Sequence, residues 1–186
     1  MRIIDNFAKF ITFWIPIKKY RKNWRTMILT FLYGYNVFRN VKDIGKYFIC
    51  SDYSYATKNT KIGKHVRFNG VNLSGLGNIS IGDFVICAQG VVVLSDNHNY
   101  DSGTKIPYSD NPIITKDVII DNFVWIGKNA LILPGTKIGE GAIIQAGAVV
   151  HGEIPPCAIA GGNPAKVFKW RNIEHYQKLK AEGKFH

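Results

Sequence analysis

From Ile114 onward the chain divides into sixes without an insertion: "ITKDVI IDNFVW IGKNAL ILPGTK IGEGAI IQAGAV VHGEIP". The first position is Ile in every hexad but the last, where it is Val, and the fifth runs Val118, Val124, Ala130, Thr136, Ala142, Ala148, Ile154. A period of six is neither the 3.6 of an amphipathic helix nor the bare alternation of a half-buried strand. It predicts a short strand and a corner, repeated, with position one turned into a narrow interior. Three such sides close a triangular coil, and each residue then stacks on its counterpart one coil later at a strand spacing of about 4.8 Å. On this register Ile114, Ile132 and Val150 form one interior column.

Upstream the hexads are less clean: "IGKHVR" at Ile62, "FNGVNL" at Phe68, "IGDFVI" at Ile81, "CAQGVV" at Cys87 and "VLSDNH" at Val93. Ile62 and Ile81 stand one residue further apart than a coil allows, which places a bulge in "LSGLGN". Between Val93 and Ile114 the chain must leave the coil and return. Residues 95–112, rich in Asp, Asn, Ser, Gly and Pro, are expected to be a surface loop that makes this excursion. The chain is therefore read as mainly β: a parallel β-helix over 44–165, preceded by a basic aromatic segment at 1–43 that is expected to be helical. Residues 166–186 follow as a tail with a short helix.

Composition narrows the setting. With 46% hydrophobic and 20% charged residues the chain is globular. Three cysteines without framework spacing fit a reducing, cytoplasmic environment. No apolar run reaches the length of a membrane span, and no signal peptide opens the chain. The formal charge of +11 resides at the two ends, since residues 51–165 sum to minus one.

His98, in "SDNHNY", stands at the entrance of the excursion. A loop held by a rigid coil is a usual place for chemistry, and a neutral imidazole accepts a proton near pH 7. Taken alone it reads equally as a solvated loop histidine. Asp96 or Asp101 could orient its ring or cap a turn. His65 and His151 fall at outward hexad positions, and no two histidines are spaced as a metal-ligating pair, so no metal is expected. Cys87 takes an interior hexad position and is read as core. Trp125, sixth in its hexad, should face outward, where a large ring needs a cover.

The hexads, the segment "IIDNFVWIG" and the tail "IPPCAIAGGNPAKVFK" together resemble the hexapeptide-repeat acyltransferases over roughly residues 56–170. The resemblance implies a left-handed coil, a homotrimer, and acetyl-CoA as co-substrate. It makes His98 the general base. It sets Trp125 beside the pantetheine at a subunit boundary, and it has the backbone around Gly127 and Lys128, and at Ala146 and Gly147, contact the cofactor. Lys166 and Lys169 then meet the phosphates of CoA. Where relatives commonly carry Val-Thr-Lys this chain has His151 and Gly152. Asn69 matches an asparagine that binds the acceptor sugar in galactoside and maltose acetyltransferases, but the carboxylate pair that follows it there is replaced by "LSGLG".

The resemblance implies an acetyl-CoA-dependent O-acetyltransferase acting on a carbohydrate or lipid-linked glycan, in the biosynthesis of a bacterial surface polysaccharide. N-acylation of a nucleotide-linked amino sugar is the alternative within the class. A non-catalytic β-helix scaffold and a metal hydratase are the alternatives outside it. The opening "FAKFITFWIPIKKYRKNWR" couples aromatics to Lys18, Lys19, Arg21, Lys22 and Arg25. It suits either a cap on the open coil or peripheral contact of residues 1–25 with anionic lipid at the inner face of the membrane. Nucleic acid is not an expected partner.

Overall fold

A computed structural model describes residues 24–186 of the chain. Its body is a three-sided, left-handed parallel β-helix. The first face stacks Asp43–Ile44, Thr60–Ile62, Ile79–Ile81, Val118–Ile120, Lys137–Ile138 and Glu153–Ile154. The second stacks Ile49–Asp52, Arg67–Asn69, Ile86–Cys87, Trp125–Ile126, Ile143–Ile144 and Ala158–Gly162. The third stacks Tyr55–Ala56, Asn72–Ser74, Val92–Leu94, Leu131–Ile132 and Val149–Val150.

The inward residues form three buried columns. Ile62, Ile81, Ile120, Ile138 and Ile154 line the first face, and Cys50, Phe68, Cys87, Ile126, Ile144 and Ala160 the second. Ala56, Leu73, Val93, Ile132 and Val150 line the third. β-branched side chains dominate because their restricted χ1 packs well on a pleated, half-buried surface. Cys87 is fully enclosed, and burial pushes its thiol up to about 12, which suits core packing and not reactivity.

Three features differ from the hexad reading. Ile114 is not a column residue: Val93 pairs directly with Ile132, and Ile114 pairs with Asn97 outside the coil. The additional residue near "LSGLGN" is the net of two changes. Tyr55 pairs with Asn72 instead of Leu73, so the corner at Gly70 is one residue short, and Asn72 pairs with Val92 instead of Gly90, so the next corner carries two more. The excursion is an antiparallel ribbon, Asp96–Asn99 against Ser109–Thr115, closed where the Lys116 amide donates to the Ser95 carbonyl at 2.9 Å. The chain rejoins the coil at Val118. A hexad phase runs through the returning strand because strand alternation alone satisfies it for a few residues.

Both ends are covered. Helices α1 (Trp24–Tyr33) and α2 (Tyr35–Asn40) lie over the first coil. There the Cys50 amide donates to Thr30 Oγ1 at 3.3 Å, Val37 is fully buried, and Phe38 packs edge-on against Phe48. The basic aromatic stretch up to Lys22 lies outside the described residues. At the other end Ala165–Trp170 returns antiparallel along Ala158–Gly162, and α3 (Ile173–Ala181), capped by the Asn172 side chain, folds back onto the coil.

Helix α3 docks on the corner between the first and second faces. Tyr47, His65, Phe84 and Phe123 occupy successive turns of that corner, with φ of 64°, 57°, 57° and 59°. Their rings stack at centroid distances of 4.5, 4.6 and 5.1 Å. A left-handed backbone costs a non-glycine residue about 1–2 kcal/mol, and ring stacking offsets it. His65 thus projects from the outer side of the corner, half-buried between two aromatic rings. The column continues at Gly141, where φ is 70° and an added Cβ would lie 2.8 Å from the Tyr176 ring. Tyr176 Oη and Lys180 Nζ both donate to Glu140 Oε1, at 3.0 and 2.6 Å.

Candidate active site

The corner between the second and third faces gathers most of the residues singled out from the sequence. Reading along it, Asp52, Asn69, Gln89, Lys128 and Ala146 with Gly147 come from successive coils, and Gly161 with Lys166 closes the run. These contacts are made by backbone hydrogen bonds between neighbouring turns, such as Asn129 to Gln89 at 2.9 Å and Gly147 to Lys128 at 2.8 Å. Lys166 and Lys169 stand exposed on the returning strand, and Lys169 pairs with Ile159. Trp125 lies on the outer side of the second face, 51% exposed, between Ile86 and Ile143. It also borders a cavity of 340 Å³ that runs under α3 to Phe185.

Two glycines on this edge are explained by the coil itself. The Gly127 amide donates to the Ile144 carbonyl at 2.8 Å, and an added Cβ would meet the Ala146 amide at 2.5 Å. Gly147 has φ of 70°, with open space around its α-carbon. The N–H groups of Gly127 and Gly147 thus belong to the ladder between coils. Among the described residues the Lys128 amide makes no such bond.

His98 lies elsewhere. The ribbon that carries it springs from the corner between the third and first faces, next to Ser95, whose Oγ donates to the Gly77 carbonyl at 3.0 Å. His98 is exposed, its amide donates to Asn97 Oδ1 at 2.9 Å, and its ring stacks on Tyr108 at 4.0 Å. Sequence reasoning missed Tyr108; the signal available was an aromatic residue at the start of the returning strand. Asp96 is occupied in accepting the Leu76 amide at 2.9 Å, so it caps the "SGLGN" corner. Among the described residues no three His, Cys, Asp or Glu side chains converge.

A single chain thus places His98 on one corner of the prism and Lys128, Ala146 and Gly147 on another. The coils between them follow a repeat seen in known proteins: a family model described as bacterial transferase hexapeptide (six repeats) matches residues 117–152. Over these residues the chain carries the repeat of the bacterial hexapeptide transferases. A relative in Escherichia coli (strain K12), WbbJ, named for lipopolysaccharide biosynthesis O-acetyl transfer, is 33% identical over 110 residues, covering 56% of each chain. The chain spans about half the length of the first curated relatives it matches.

Solved structures share the fold. The maltose O-acetyltransferase of Clostridium difficile 630 superposes with a TM-score of 0.53 at 27% identity, over 91% of this chain and 88% of the other. AntD, an N-acyltransferase from Bacillus cereus solved with dTDP and 3-hydroxybutyryl-CoA, superposes at 0.64 with 22% identity, over 76% and 78%.

Proposed function

We propose that this protein is an acetyl-CoA-dependent O-acetyltransferase acting on a carbohydrate in bacterial surface polysaccharide biosynthesis. The observation that carries the reading is the second-to-third-face corner. It is an open edge of small residues, Ala146 and Gly147, with exposed Lys128 and Lys166 along it and exposed Lys169 on the same returning strand, opposite Ile159. An extended pantetheine fits an edge without bulky side chains, and three cations suit a phosphorylated nucleotide. The unengaged Lys128 amide is a donor for the thioester carbonyl oxygen as negative charge builds on it. Trp125 offers an apolar surface beside the same edge.

Transfer is direct. His98 accepts the proton of the acceptor hydroxyl while its oxygen bonds to the acetyl carbon. The carbon–sulfur bond breaks, and the proton leaves with the CoA thiol. Because His98 and the cofactor edge occupy different corners, a homotrimer is the working unit, with the ribbon of one subunit meeting the Trp125 face of the next. Asn69 binds the acceptor. Residues 1–25 make peripheral contact with anionic lipid on the cytoplasmic side, which suits a lipid-linked acceptor; among the described residues no helix is long and apolar enough to cross a membrane.

The test is acetyl-CoA consumption against free sugars, lipid-linked glycans and nucleotide-linked amino sugars, in the wild type and in His98→Ala. The variant should bind CoA normally and lose at least about 10²-fold in rate. Transfer confined to amino sugars would make the enzyme an N-acyltransferase, and equal loss of stability and activity would make His98 structural.

A further inference from the structure

In this chain the carboxylate pair that would follow Asn69 is replaced by "LSGLG", and the structure shows where a carboxylate enters instead. Asp52 belongs to the preceding coil and pairs in register with Asn69 on the second face. Its Oδ2 accepts from Gln89 Nε2, one coil further on, at 3.3 Å. The short corner brings Gly70, with φ of 70°, against the Asp52 carboxyl, where a Cβ would lie in ordinary contact with Oδ2 at 3.4 Å. Asp52 and Gln89 therefore close over Gly70 from either side, beside Asn69.

Across Gly70 from this corner, the third face carries exposed aromatic surface. Tyr53, next to Asp52 in the chain, is 62% exposed, and Tyr55, two residues further on, is 37% exposed. Asn36 Nδ2 donates to the Tyr53 hydroxyl at 2.6 Å, which holds that ring from the capping helix α2. Both tyrosines border a shallow depression of 450 Å³ that also takes in Gly70 and Asn72. An acidic side chain and two carboxamides on the corner, with two aromatic rings on the depression that adjoins it at Gly70, match the needs of a pyranose. Its hydroxyls seek charged or planar hydrogen-bonding partners, and its C–H face packs on an aromatic plane.

We infer that Asp52, Gln89, Tyr53 and Tyr55, together with Asn69, form the acceptor site, and that it takes a pyranoside. This rests on the transferase reading for its reaction but not for its binding. The acceptor half occupies the first three coils of the edge, and the cofactor half begins at Lys128 one coil later. Asp52 hydrogen-bonds a sugar hydroxyl and sets specificity, while His98 from the neighbouring subunit removes the proton.

The probes are 4-nitrophenyl pyranosides of the common hexoses. Their binding is followed by saturation-transfer NMR without acetyl-CoA, and their acetylation by thiol release. Asp52→Asn keeps an oxygen that can accept the Tyr53 amide, which now donates to Asp52 Oδ1 at 2.7 Å, and removes only the charge. With the best wild-type acceptor, Asp52→Asn and Gln89→Ala should each raise its KM about tenfold or more, leaving the KM for acetyl-CoA and the melting temperature in place. If transfer proceeds and neither variant moves the acceptor KM, the site is wrong and the transferase reading stands. Pyranoside binding that Asp52→Asn abolishes, without any transfer, would keep the site and defeat the reaction. Neither binding nor transfer of any pyranoside overturns the inference.

Discussion

His98 lies face to face with Tyr108, ring centroids 4.0 Å apart and planes 22° from parallel, across a two-stranded ribbon that stands off the coil. The ribbon pairs Asn97 with Ile114 and Asn99 with Ser109, so the register shifts at His98, which sits at an irregularity between two paired positions. Buried Ser109 accepts from the amides of Thr104 and Lys105 through its hydroxyl, and Asn99 Oδ1 accepts from Ser102, which ties down the tip.

Tyr108 should therefore act as a positioning residue. Tyr108→Ala is expected to lower kcat about tenfold with the KM for acetyl-CoA unchanged, and Tyr108→Phe to restore it, because the ring and not the hydroxyl does the packing. A rate that follows the hydroxyl would assign Tyr108 a different part.

The tail lysines give a complementary split. Lys166→Ala with Lys169→Ala should raise the KM for acetyl-CoA about tenfold or more, since charge-assisted contacts to phosphate are lost, while acceptor KM holds. Steady-state kinetics with each substrate varied in turn decide it, and a shift in the acceptor KM instead would remove these residues from the cofactor edge.

The division of the site between subunits is open to complementation. His98→Ala and Trp125→Ala, each inactive alone, should recover activity when co-expressed. Random assembly leaves about a quarter of the interfaces with both halves intact. Light scattering should report a trimer. An active monomer, or mixtures that stay inactive, would put the whole site in one chain.

His65 supplies a pH test of stability. Burial between Tyr47 and Phe84 holds its imidazole below the ordinary value, with the Lys64 charge adding to the effect and Asp83 opposing it. A lowered folded value means that the neutral ring is preferred. This contribution is complete above the unfolded value of about 6.5 and is lost as pH falls through the folded one. The melting temperature of the wild type should thus fall more steeply below about pH 6.5 than that of His65→Phe, which keeps the stack. Parallel curves would mean that the stack does not discriminate the charge.

The amino-terminal segment can be tested with vesicles. The full chain should sediment with anionic lipid and release as salt rises, each Lys or Arg contributing about 1 kcal/mol that screening removes. Replacing Lys18, Lys19, Arg21, Lys22 and Arg25 by Gln should abolish binding while the protein stays folded. Indifference of the wild type to anionic vesicles at low salt would make a soluble acceptor the better choice.

The hexads determined the coil by themselves, because a side chain every six residues can be buried only if the chain turns three corners and stacks. Ile120, Ile126, Ile132, Ile138, Ile144 and Val150 are buried where the period puts them. The same period located the excursion between Val93 and the returning strand. Tertiary structure alone decided the phase of each corner. One residue lost at Gly70 and two gained before Asn78 cancel almost completely in the count, so no spacing reveals that Asp52 comes level with Asn69 and Gln89. Nor does a period distinguish a ribbon strand from a coil strand, which is why Ile114 looked like core. His65, Phe84 and Phe123 are far apart in the chain, and only stacking at a shared left-handed corner makes them one column. The sequence specifies which side chains must leave water; the register between coils specifies which of them meet.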